Sequence, residues 1–153
     1  MAEMNQVTLA TLEDIPRLCD LLSVLFAQEA DFEPDRDRQS AGLRKIVECP
    51  ETGHILVLRR GGEVVGMVNL LYTISTARGG RVAILEDMVV HPEGRGRGAG
   101  STLLDEAIAF ARAQGCSRIT LLTDRDNVSA IRFYQRHGFE QSAMVPLRLL
   151  FPL

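Results

Sequence analysis

Val90-His91-Pro92-Glu93-Gly94-Arg95-Gly96-Arg97-Gly98-Ala99-Gly100-Ser101 joins an apolar run that ends at Val90 to a helical run that begins near Ser101. Glycines at this density do not pack a core. They free the backbone for left-handed or tight conformations and let a ligand approach the amide N–H groups closely. The helix that follows directs its unsatisfied N–H groups and positive dipole end at the same spot. The stretch therefore predicts an anion cradle, with phosphate as the best-fitting ligand.

Known glycine-rich patterns narrow the choice. A Walker loop needs Gly-Lys-Ser/Thr at the helix start, whereas Gly100 runs straight into Ser101. Gly94-x-Gly96-x-x-Ala99 meets the loose dinucleotide fingerprint, but that fingerprint belongs to a larger sheet than this chain can supply. A small NAD-type oxidoreductase is therefore a remote alternative. Arg95-x-x-Gly98-x-Gly100 after a strand resembles the GNAT superfamily of acyl-CoA-dependent N-acetyltransferases, where such a loop binds the pyrophosphate of coenzyme A.

Outward from the loop, the pattern reads as one α+β domain over residues 1–153. A short strand is expected at residues 6–10. Thr11-Leu12-Glu13-Asp14 then caps a helix carrying Ile15, Leu18, Leu21, Leu22 and Leu25 on one face, which the stretch from Asp31 to Asp35 breaks. A weaker helix follows from about Arg36 to Glu48, stopped by Pro50. His54–Arg60, the Gly61-Gly62 turn and Glu63 to about Ser75 make a hairpin, and Arg78-Gly79-Gly80 returns the chain into Val82–Val90 as a three-stranded antiparallel meander. A helix over Gly98–Gln114 and a doubly buried parallel strand over Ile119–Thr123 complete a βαβ unit. A helix from about Asn127 to His137 and a last pair of strands between Phe139 and Phe151, interrupted by Pro146, close the chain. The order resembles the GNAT fold, a single mixed central sheet flanked by helices, over essentially the whole length.

Composition bounds the partners. The 153 residues, 46% hydrophobic and with a formal net charge of −3, suffice for one core and argue against bulk electrostatic binding of nucleic acid. Cys19, Cys49 and Cys116 lack metal-ligand spacing and read as reduced thiols, so no metal is expected. No apolar run reaches membrane-spanning length, and Met1–Leu9 has no leader-like pattern. The expectation is a cytoplasmic protein without membrane or nucleic-acid partners.

Two carboxylates, Glu86 and Asp87, interrupt Val82–Val90. Successive strand residues face opposite sides, so one of the pair meets a covered face unless a bulge or cavity intervenes, or the strand leaves the core there and both are solvated. The segment resembles that of diamine and polyamine acetyltransferases in the family. The resemblance implies Glu86 as general base acting through water, Asp87 as substrate anchor, and the backbone of Met88, Val89 and Val90 as the ledge for the pantetheine arm, with an N–H there polarising the acetyl carbonyl. It also implies that Arg95, Gly96, Arg97, Gly98, Ala99, Gly100 and Ser101 hold the pyrophosphate. Asn127-Val128-Ser129-Ala130-Ile131-Arg132-Phe133-Tyr134 before Gly138-Phe139 is similar to the family's second motif, which implies that Asn127 contacts the cofactor and Tyr134 serves the thioester sulfur.

Phe133 and Cys116 read as packing residues, His137 as a helix C-terminal residue and His54 as a strand start, while His91 lies near the site with no role carried over. The activity implied is transfer of an acetyl group from acetyl-CoA to a primary amine by direct attack, on a small cationic amine or an amino-acid or peptide amine, and the assembly implied is a homodimer. The acidic stretch Asp31, Glu33, Asp35 suits a cationic acceptor or is a solvated loop. A non-catalytic CoA-binding sensor is the alternative class.

Overall fold

Continuous apolar runs and two glycine turns build most of the sheet. In the computed structural model, which describes residues 4–28 and 35–153, the strands are β1 (Asn5–Leu9), β2 (Gly53–Arg60), β3 (Glu63–Ser75), β4 (Gly80–Val90) and β5 (Ile119–Leu121). They form one sheet in the order β1-β2-β3-β4-β5, antiparallel except for the β4–β5 pair. The helices are α1 (Ile15–Ala27), α2 (Arg36–Glu48), α3 (Ala99–Ala113) and α4 (Val128–Arg136). By backbone contacts the chain divides into a larger unit that ends at Leu122 and a smaller one that starts at Thr123.

In the larger unit, Leu18, Leu22 and Leu43 of α1 and α2 pack with Ile55, Val57, Met67 and Val89 on one face of the sheet. The opposite face belongs to α3: a Cβ placed on Gly66 would lie 3.3 Å from Leu103. A single 3-10 turn, Leu12–Asp14, leads into α1. There Asp14 accepts from the Thr11 backbone N–H at 2.8 Å and from both Arg59 terminal nitrogens, at 3.0 and 2.6 Å. Burial alone would raise the Asp14 carboxyl, yet the Arg59 bonds hold it below the usual carboxylate range. This bidentate pair ties the start of α1 to β2.

Two expectations need correction. The strand after α3 is neither long nor doubly buried: β5 ends at Leu121, Thr120 is exposed and Leu122 is 65% exposed. Among the described residues it is the last strand of the sheet, with a neighbour on one side only. The pair of strands expected between Phe139 and Phe151 does not form; residues 139–153 contain no strand. The smaller unit offers that segment only α4 as regular structure, and Pro146 and Pro152 supply no N–H for a ladder. The expected helix break at 31–34 lies outside the described residues.

Candidate active site

The meander places both carboxylates at an irregularity. Across β3 and β4, Met67 faces Val89 but Asn69 faces Glu86, so β4 carries one residue more than β3 between these pairs. This is a β-bulge, and Asp87 within it adopts φ 54°, a left-handed conformation uncommon for a side-chain-bearing residue. The strict alternation of the two side chains is thereby lost. Asn69 lies two residues beyond Met67 and opposite Ile55, both in the α1–α2 core, so it belongs to that face. Its Nδ2 donates to Asp87 Oδ2 at 2.6 Å. Asp87 is half-buried, whereas Glu86 is exposed.

The other edge of β4 is open beside this point. β5 pairs with Ala83, Ile84 and Leu85, and among the described residues no strand of the sheet continues along Glu86–Val90 on that side. Met88, Val89 and Val90 thus offer an edge on which an extended, amide-containing ligand could add as a strand.

The glycine loop begins where this edge ends. The His91 N–H donates to the Val65 carbonyl at 2.7 Å, and a short 3-10 turn, Pro92–Gly94, seats Gly94 so tightly that a Cβ would lie 2.7 Å from Val65 Cβ. His91 Nδ1 accepts from the Glu93 N–H at 3.2 Å, and Arg95 Nε donates to the Val90 carbonyl at 3.1 Å, which turns the guanidinium back toward the strand. Gly96, Arg97 and Gly98 then take φ of 93°, 55° and 71° in succession. Gly98 caps α3 without a side-chain hydrogen bond, followed by Ala99, Gly100 and Ser101 in the first turn. A helix that starts on a bare glycine leaves its N-terminal pole open to an outside anion, which fits a pyrophosphate.

The smaller unit holds the second motif. Asn127 Oδ1 accepts from the Ala130 N–H at 3.1 Å and from the Ser129 hydroxyl at 3.2 Å, so its side chain caps α4. Tyr134 packs edge-on to Phe133 and Phe139, at 5.3 and 5.6 Å between ring centroids, and burial pushes its phenol up to about 12. Phe133 is half-buried between Tyr134 and His137.

One cluster went unread in the sequence. His54 Nδ1 lies 2.6 Å from the Tyr72 hydroxyl, Phe110 stacks edge-on to the imidazole, and the Arg81 guanidinium sits 4.6 Å over the Tyr72 ring. Burial, aided by Arg81, lowers the His54 pKa, and burial pushes Tyr72 up to about 12. The continuous apolar run that follows His54, Ile55 to Leu58, gives no signal for this pairing. Among the described residues no group of three or more His, Cys, Asp or Glu could hold a metal, and no helix is long and apolar enough to cross a membrane.

Comparison with known proteins places these features in a family. The sequence profile described as the Acetyltransferase (GNAT) family matches residues 15–139. The chain is 35% identical over 133 residues to an aminoalkylphosphonate N-acetyltransferase of Salmonella typhimurium, covering 87% of this chain and 83% of that one. It is 36% identical over 123 residues to an uncharacterized N-acetyltransferase of Bacillus subtilis, covering 78% and 82%. Among solved structures, an integron cassette protein from a salt-marsh metagenome superposes with a TM-score of 0.82 at 30% identity, covering 97% and 92%. An aminoglycoside N-acetyltransferase crystallised with CoA gives a TM-score of 0.82 at 16% identity, covering 98% and 97%, and shares the fold.

Proposed function

The chain belongs to the acetyltransferase (GNAT) family and is an acyl-CoA-dependent N-acetyltransferase, and from that premise we propose that it acetylates a primary amine held at the Glu86–Asp87 bulge. The observation that carries this reading is the bulge itself, which sets two adjacent carboxylates beside the open edge of β4 and upstream of the glycine loop. A relative that acetylates aminoalkylphosphonates supports an amine acceptor.

In this reading the backbone of Met88–Val90 lines the pantetheine arm and residues Arg95–Ser101, with Asn127, hold the rest of acetyl-CoA. The family match over 15–139 supports treating the chain as one catalytic domain. Asp87, held in place by Asn69, anchors the acceptor's ammonium group. Glu86, exposed and therefore reachable by water, removes a proton from that ammonium directly or through one water. The neutral amine attacks the thioester carbonyl, whose oxygen a β4 backbone N–H polarises; the C–S bond breaks, the proton that the nitrogen sheds passes to the departing thiolate, and the products are an N-acetyl amine and the CoA thiol. Tyr134 donates to the departing sulfur. A homodimer and a cytoplasmic location remain part of the proposal.

An alkyl amine with a pKa near that of lysine, about 10.4, is almost wholly protonated at neutral pH, so the base matters most there. Glu86→Gln keeps the shape and removes the base. Its turnover should fall at neutral pH and recover as alkali supplies free amine, with a much weaker rise in the parent enzyme. An unchanged pH–rate profile in Glu86→Gln would remove the base role from Glu86.

A further inference from the structure

Asn69 is one of the few polar residues within the core, 2% exposed, and its two polar atoms are treated unequally. Nδ2 makes the short bond to Asp87, while Oδ1 is buried without a hydrogen-bond partner among the described residues. The amide cannot be turned around to repair this, because Oδ1 would then face a carboxylate oxygen. A buried acceptor left unpaired is destabilising. The residue it holds is itself in a left-handed backbone conformation, which is unfavourable for a residue with a Cβ. An apolar side chain at position 69 opposite an ordinary strand residue would avoid both costs. Two unfavourable features joined by one charge-assisted bond mark a position kept for function rather than for packing.

We propose that Asn69 is a positioning residue for the acceptor: by gripping Asp87 Oδ2 from beneath the α1–α2 face, it fixes the direction in which the carboxylate meets a cationic amine. It acts through Asp87 and does not touch the substrate. The inference rests on the reading of Asp87 as the anchor, and the test separates the two.

Steady-state kinetics with aminoethylphosphonate and spermidine as acceptors, on the parent, Asn69→Leu, Asp87→Asn and the double variant, provide that test. Asn69→Leu should raise the acceptor KM about tenfold, with the acetyl-CoA KM and kcat changed less than threefold, the split expected of lost ground-state binding. The double variant should be no worse than Asp87→Asn alone, since the two residues form one unit. Asn69→Asp serves as the near-isosteric control. Protonated in mild acid, the carboxyl that this substitution introduces can still donate to Asp87, and there the acceptor KM should stay within about threefold of the parent's. An acceptor KM unchanged in Asn69→Leu but raised in Asp87→Asn overturns the proposal, as do additive effects in the double variant or a joint change of both KM values and kcat. An acceptor KM unchanged in Asp87→Asn overturns the anchor reading instead.

Discussion

Tyr134 illustrates how burial selects among chemical roles for one side chain. A phenol pushed up to about 12 stays protonated at neutral pH and can always donate. A thiol titrates near 8.5, so full transfer of the Tyr134 proton to a departing thiolate would run uphill by several pKa units. The side chain therefore suits a hydrogen-bond donor that steadies negative charge on sulfur better than an acid that neutralises it. Tyr134→Phe retains the ring packing on Phe133 and Phe139. One hydrogen bond to a charged atom contributes about 1.5–3 kcal/mol, which predicts a loss of about ten- to a hundredfold in kcat with acetyl-CoA affinity held. Pre-steady-state turnover that matches the parent would reduce Tyr134 to a packing residue.

At the scale of elements, the loop between β4 and α3 separates two uses of glycine. Gly94 is needed for space, because a Cβ there meets Val65, whereas Gly98 faces open space and is needed for its left-handed backbone and for what it leaves uncovered. Gly94→Ala should destabilise the fold by about 1–3 kcal/mol through overpacking. Gly98→Asp should lose only about 1–2 kcal/mol of stability from its backbone strain. That second change puts a negative charge at the proposed phosphate cradle and should weaken CoA binding by calorimetry by tenfold or more, about 1.4 kcal/mol per decade. If Gly98→Asp binds CoA as the parent does, the cradle lies elsewhere.

The same elements show what a sequence can disclose. The glycine turns at Gly61-Gly62 and Gly79-Gly80, and the helix stripe from Leu103 to Ala111, are local signals, and the meander and α3 follow from them. Register is not local. Counting back from Gly61-Gly62 sets Asn69 opposite His54, but a bulge between Leu58 and Arg59 moves it to Ile55. A one-residue slip sends a side chain to the other face, so Asn69 could not be joined to Asp87, or His54 to Tyr72, before the sheet was seen. Glu86 and Asp87 were legible as carboxylates misplaced in an apolar strand; the bulge that sets them apart was not, since neither position is a glycine. The apolar tail misled as well: an apolar run alone does not make a strand, and residues 139–153 form none.

For the molecule as a whole, the family match fixes the reaction class, and the bulge and glycine loop of the larger unit are the features on which the proposed site rests. A net charge of −3 and a carboxylate pair at the bulge favour an acceptor that arrives as a cation. Of the acidic stretch, Asp31 and Glu33 lie outside the described residues, and Asp35 caps α2 through the Arg38 N–H at 3.1 Å. The central claim is amine-dependent acetyl transfer, and its most direct test reads CoA thiol release from acetyl-CoA across aminoalkylphosphonates, polyamines, amino acids, aminoglycosides and peptide N-termini, with mass spectrometry of the products. The account predicts thiol release that depends on at least one primary amine, matched mole for mole by its N-acetyl product and depressed in Glu86→Gln at neutral pH. Tight binding of acetyl-CoA with no amine-dependent thiol release across the panel would contradict it and leave a CoA-binding module in its place.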